Sequence, residues 1–169
     1  MPHITLVQQY VLRENIERMF DRIADVITGM PPLRLRATGI DQPGATGHLA
    51  GPATHLQIER SSVLQALHMR LMDALDSVDQ RIGGEGAFYE NGEPPRLRDV
   101  AWVTGFRTQA AYGRFAPHVT LGYGKVSETL VPFEFDAARL GVCHLGRYCT
   151  CRVVLHEWRL SDGADLAIE

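Results

Sequence analysis

The order of apolar and polar positions divides the chain into a few helices and many strands. Residues 3–11 (HITLVQQYV) are β-branched and apolar enough for a strand. From Arg13 to Thr28, Ile16, Met19, Phe20, Ile23, Val26 and Ile27 recur at helical spacing, and Gly29 and Pro31 stop that helix. Leu33, Leu35 and Ala37 then alternate with Arg34, Arg36 and Thr38, the signature of a half-buried strand. A glycine- and proline-rich loop occupies 39–52, and His55–Glu59 resumes a strand pattern. A second helix begins at Ser61 or Ser62, with a serine as N-cap and Leu64, Leu67, His68, Leu71, Met72 and Leu75 as its stripe. Residues 80–98 read as a long loop, the kind that walls a site. Asp99–Phe106 and Pro117–Gly124 read as strands, and the chain from Leu130 as further strands ending in the run Tyr148–Leu160. The pattern predicts a single α+β domain over 1–169 with antiparallel sheet.

The 169 residues, 45% hydrophobic and 22% charged, suffice for one core. Seventeen basic against 20 acidic residues give a net charge of −3, which excludes the global basic footprint of a duplex-DNA coat but leaves room for a local patch and a small or single-stranded anion. Only Lys125 among the basic residues is a lysine, so positive charge comes as guanidinium. No apolar stretch approaches the roughly 20 residues of a membrane span, and no secretion signal opens the chain, so a cytoplasmic location is expected. The three cysteines, Cys143, Cys149 and Cys151, are odd in number and read as reduced thiols.

One motif occurs twice: Pro2-His3-Ile4-Thr5-Leu6 and Pro117-His118-Val119-Thr120-Leu121. On a strand His3 and Thr5 point one way and Ile4 and Leu6 the other, and the same holds for His118 and Thr120. Two such strands side by side would offer two imidazoles and two hydroxyls to one cleft. Cleaving a phosphate ester needs a base for the attacking hydroxyl or water and an acid for the leaving oxygen; a histidine pair supplies both near neutral pH. The threonine hydroxyls can donate to the non-bridging oxygens as charge develops. This chemistry requires no metal and no cofactor. A histidine and a threonine that merely satisfy each other are the plain alternative for a single H-x-T.

Other residues carry weaker signals. Gln9 shares the period-two face of His3 and Thr5, so it is a candidate substrate contact; Gly122 and Gly124 continue the face of His118. Tyr123, Phe115 and Trp102 could stack on a base, with Tyr123 kept as a substrate-binding candidate, although core packing suits at least two of the three. Arg107 and Arg114 could bind a terminal phosphate, and Arg96 and Arg98 in the loop could guide RNA, with a solvated charge as default for each. His68 reads as a core histidine and His55 as part of a structural strand. Cys149 and Cys151 would share a strand face, and Cys143-His144 with them lacks a zinc spacing.

The residues resemble the two-histidine (2H) phosphoesterases, which include bacterial RNA 2′,5′-ligase-like proteins and RNA 2′,3′-cyclic phosphodiesterases. PHITLVQQY, the following amphipathic helix and PPLRLRATGI are similar to that family's first H-x-T strand, helix and next strand. THLQIERSSVLQALHMRLMDAL is similar to its next strand and helix, and RFAPHVTLGYG to its second H-x-T strand. The resemblance implies a bilobal fold of two antiparallel sheets with the cleft between them and helices packed outside. It implies His3 and His118 as the acid/base pair, with Thr5 and Thr120 on the phosphate. The partner implied is RNA or a nucleotide with a cyclic or 2′,5′ phosphodiester; a catalytically weak or inactive RNA- or nucleotide-binding module of the same fold is the alternative. Family members usually carry a strand and helix before the first motif, whereas this chain opens two residues ahead of His3. The sheet edge beside the motif is then expected to lie bare, which leads to a homodimer through that edge or a truncated start.

Overall fold

Leu33, Leu35 and Ala37 are buried while Arg34, Arg36 and Thr38 are exposed, as one-sided burial of a strand requires. In the computed structural model, which describes residues 2–42, 53–124, 126–127 and 129–161, they belong to β1 (Leu33–Asp41). β1 lies in a four-stranded antiparallel sheet of order β3-β2-β1-β4, with β2 at Ala53–Ile58, β3 at His118–Tyr123 and β4 at Phe133–Ala137. A second, two-stranded antiparallel sheet pairs β5 (Arg139–Gly146) with β6 (Thr150–Arg159). The architecture is the expected α+β one.

The helices α1 (Ile16–Ile27) and α2 (Ser62–Ala74) bury the predicted stripes. Ser61 caps α2, its Oγ accepting from the Leu64 N–H at 3.3 Å. Met19, Ile23 and Val26 of α1 and Leu64, Leu67 and Leu71 of α2 join Leu33, Leu35, Ile58 and Val119 in one core, to which each fully buried leucine contributes roughly 1.5–3 kcal/mol. Ile4, Leu6 and Trp158 pack onto the same cluster.

Two segments depart from expectation. Residues 99–106, expected as a strand, lie in a helix, α3 (Leu97–Gln109). The Asp99 carboxylate reaches back to the Arg96 N–H at 2.9 Å and so satisfies a donor at the helix start, and Val103 and Phe106 are buried one turn apart. Short β-branched stretches give similar patterns in either state, and here the cap and the packing decide. Residues 2–12 are extended, but among the described residues they form no ladder, and one bridge joins Ile4 to Val119. Backbone groups there find other partners. The Leu6 carbonyl accepts from the His68 ring at 2.8 Å, and the Tyr10 carbonyl from the Gln80 N–H at 3.0 Å. Most of the 39–52 loop lies outside the described residues, and β1 runs on to Asp41.

Candidate active site

The bridge between Ile4 and Val119 is antiparallel. One residue to either side, its register sets His3 opposite Thr120 and Thr5 opposite His118. Ile4 and Val119 meanwhile fill the core side, so the alternation of an extended backbone turns the polar residues of both motifs to the other face. The segment that begins the chain and the strand 115 residues later are thus edge to edge.

β2 and β1 continue the row. His55 pairs with Thr120 and with Asp41, and Gln57 pairs with His118 and with Gly39. The His55 ring stacks on His118, with centroids 4.2 Å apart and planes at 22°. Burial, and then the neighbouring His118, push the His55 pKa below its ordinary value, with Asp41 opposing them. His118 Nδ1 lies 2.9 Å from the Ala116 carbonyl, and as that oxygen only accepts, Nδ1 carries a proton. Nε2 of the neutral ring is then the atom that can take or return a proton at the cleft. His3 Nε2 lies 3.5 Å from the Cys151 thiol of β6, so the second sheet meets the first motif directly.

A bulge changes which residues follow on β3. Thr120 pairs with His55 but Gly122 with Thr54 and Tyr123 with Ala53, leaving Leu121 as the extra residue. Gly122 takes φ +147°, a conformation glycine adopts without strain. The parity therefore flips: Gly122 falls on the side of buried Thr54, and Tyr123 returns to the face of His55 and Thr120. The expectation that Gly122 and Gly124 prolong the His118 face is corrected, and Tyr123 stands there instead.

Tyr123 meets Tyr148 edge to face, centroids 6.1 Å apart. Tyr148 sits in the turn Arg147–Cys149 between β5 and β6. Its N–H donates to Asp99 Oδ2 at 3.0 Å, and the Arg96 guanidinium lies 3.9 Å over its ring. Burial alone would raise the Asp99 pKa; the Arg96 guanidinium and N–H and the Tyr148 N–H outweigh it and hold this carboxylate, 2% exposed, below its usual range.

Several other candidates have structural work. Gln9 reaches the end of α2, its Nε2 3.5 Å from the Leu75 carbonyl, and the adjacent Leu6 and Val7 both pack on the core. The period of two breaks between Thr5 and Gln9, which corrects the placement of Gln9 on the motif face. Phe115 is buried and stacks on His68. Trp102 donates to Gln8 Oε1 at 2.8 Å. Arg107 pairs with Asp79 at 3.2 Å, and Arg114 donates to the Thr108 carbonyl at 2.9 Å. Cys149 and Cys151 do not share a strand face: Cys149 lies in the turn with its thiol toward the Asp99 carbonyl, and Cys151 faces His3. Burial first, then Asp99, push the Cys149 thiol up to about 12, and burial with Cys151 pushes Cys143 up to about 12, so both are inert at neutral pH. Among the described residues no three His, Cys, Asp or Glu side chains cluster as metal ligands.

His68, completely buried, ties the two motif segments together. Its Nε2 accepts the Tyr112 N–H at 2.7 Å and its Nδ1 donates to the Leu6 carbonyl. Sequence reasoning placed His68 in the core but gave no sign of these partners, nor of Cys151 beside His3, Tyr148 beside Tyr123 or the ring of His55 on His118. All are long-range contacts without a local periodicity.

A cavity of about 710 Å³ opens beside the first motif. Its lining is mostly apolar, including Leu64, Leu67, Phe135 and Leu140; His3, Thr5 and Cys151 border it, and His118 and Thr120 do not. Its apolar lining offers little to a phosphate, so the polar row above is the better candidate site.

Comparison with known proteins agrees with this architecture. A crystal structure of TT0787 of Thermus thermophilus superposes with a TM-score of 0.57 at 16% identity, covering 95% of this chain and 78% of that one. No curated protein matches the chain. A family model described as the 2′-5′ RNA ligase superfamily matches residues 1–141, which include both H-x-T segments. The chain therefore belongs to the 2′-5′ RNA ligase superfamily of 2H phosphoesterases, and it has their fold.

Proposed function

We propose that the chain is a phosphoesterase acting on a nucleotide or an RNA end, opening a 2′,3′-cyclic phosphate or making and breaking a 2′,5′ linkage. The observation that carries this reading is the bridge at Ile4 and Val119, which brings His3, Thr5, His118 and Thr120 into adjacent registers. In the opening of a cyclic phosphate one histidine takes a proton from water as its oxygen bonds to phosphorus. The P–O bond to one ribose oxygen breaks, and the other histidine delivers a proton to that oxygen. Thr5 and Thr120 hold the non-bridging oxygens, and the fixed cleft supplies orientation. His118 with its proton on Nδ1 is suited to start as the base. No step passes through a metal or a cofactor.

The test is a panel of nucleoside 2′,3′-cyclic phosphates and 2′,5′-linked dinucleotides, assayed in EDTA with wild type, His3→Ala and His118→Ala. The reading expects turnover in EDTA and a loss of about 10²–10⁴-fold in each variant. Binding of nucleotide by wild type with no turnover on any substrate would give the site to a binding module instead.

The same reading extends to assembly and location. The homodimer expected through the sheet edge beside the first motif would form by a second copy pairing along residues 2–12; among the described residues β6, which pairs only with β5 and exposes Val153, Val154 and Leu155, offers a further edge for such pairing. The free thiols and an RNA-type substrate fit the cytoplasm, and among the described residues no helix is long and apolar enough to cross a membrane.

A further inference from the structure

From the bulge on β3 and the turn before β6, we infer that Tyr123 and Tyr148 form a subsite for a nucleobase, next to the phosphate held by the motifs. This rests on the phosphoesterase reading and narrows its substrate to nucleotides that carry a base at the reacting ribose.

Distance along the sheet comes first. Tyr123 pairs with Ala53 and Thr120 with His55, so the tyrosine lies two β2 residues beyond the row that holds Thr120 and, by register, His3. At about 3.3 Å per residue that is about 7 Å, close to the separation of a nucleotide's base from its own phosphate. The second sheet gives the same order. Cys151 touches His3, and Tyr148, three residues earlier, touches Tyr123. Both walls of the cleft therefore pass from an imidazole level to a tyrosine level in the same direction.

The platform is also built rather than incidental. Tyr148 has φ +65°, an unfavourable conformation for a tyrosine, and the buried Asp99 stabilises it by accepting its N–H. The same carboxylate binds Arg96, whose guanidinium covers the Tyr148 ring. Arg147 lies 5.3 Å from that ring, with its Nε buried and without a hydrogen-bond partner among the described residues. Tyr123 keeps 47% of its surface exposed and Tyr148 37%. Aromatic rings backed by guanidinium groups are the chemistry that holds a base by its π-face, independent of sequence.

Two substrates separate this role from a structural one: a nucleoside 2′,3′-cyclic phosphate, and methyl riboside 2′,3′-cyclic phosphate, which lacks the base. Tyr148→Leu and Tyr123→Leu should each raise KM for the nucleotide about tenfold and leave kinetics on the base-free substrate within about twofold. Tyr148→Phe and Tyr123→Phe should behave as wild type. Equal losses on both substrates, or no change on either, would overturn the subsite. If wild type turns over neither substrate, the phosphoesterase reading fails separately. The subsite is then decided by calorimetric binding of a nucleoside 3′-monophosphate against methyl riboside 3′-phosphate. Weakening of only the first by the leucine variants supports it, and equal affinities of wild type for the two refute it.

Discussion

At the scale of single residues the site depends on how each imidazole is held. His118 is fixed twice, by the Ala116 carbonyl on Nδ1 and by the His55 ring on its face. Burial, and then the neighbouring His118, lower the His55 pKa, and its ring, stacked on His118 at 4.2 Å, is placed to hold the neighbouring imidazole. His55→Phe, which retains a ring at that place, should leave kcat within about threefold and the pH profile unmoved, whereas His55→Ala should lower kcat about tenfold by loosening His118. A pH–rate series on both variants checks this, and an altered profile in the phenylalanine variant would contradict it. The sequence made both H-x-T histidines legible because the motif is repeated with its prolines and apolar positions. His55 was legible only as a strand residue, since nothing local says that a neighbouring strand will bring its ring against His118.

At the scale of elements, the two motif segments are joined less by strand pairing than by a buried histidine. His68 on α2 ties Leu6 to Tyr112, six residues ahead of His118. His68→Ala would orphan a buried carbonyl and a buried N–H and open a cavity, a cost of about 3 kcal/mol that a thermal or urea melt would read. The pH dependence follows from the direction of its shift. Burial lowers the folded pKa below the ordinary 6.5, so the unfolded chain takes up the proton first. The stability contributed by neutral His68 is full above about pH 6.5 and is lost as the pH falls through the folded pKa. Melting temperature should therefore decline below that pH, with a shallower slope in His68→Phe; equal slopes would assign the decline to other groups.

The bulge on β3 is a second device at this scale. Gly122→Ala places a side chain at φ +147° and should cost about 1–2 kcal/mol. If the strand relaxes into regular register, Tyr123 leaves the cleft face, and KM on nucleotide substrates rises with it. Helices α1 and α2 and strand β1 were legible because each buries one face, and β3 because it carries the repeated motif. The helix α3 was not, because the decisive contacts are a reach-back carboxylate and its packing partners. The bulge was invisible for a similar reason: alternation in a sequence assumes a ladder without an extra residue.

At the scale of the whole molecule, the α+β class followed from few helices and many strands, and the two-sheet arrangement from the family resemblance. The distribution of polar residues within the cleft did not. Two sheets meet where His3 touches Cys151, and one side of the cleft is completed by a turn in the second sheet. Assembly belongs to this scale as well. The exposed valines and leucine of β6 predict a dimer in sedimentation at micromolar concentration, and Val154→Glu should return it to a monomer. A monomeric wild type would dismiss the edge as an interface.

The central claim is that two segments far apart in the chain act as one acid/base unit on phosphorus. It is tested most directly by the pH dependence of kcat/KM for a nucleoside 2′,3′-cyclic phosphate, measured in EDTA for wild type, His3→Ala and His118→Ala. The account predicts a bell-shaped profile in wild type, reduced by about 10²–10⁴-fold in both variants, with one limb lost in each. Full activity in either folded variant, or turnover abolished by the chelator, would contradict it.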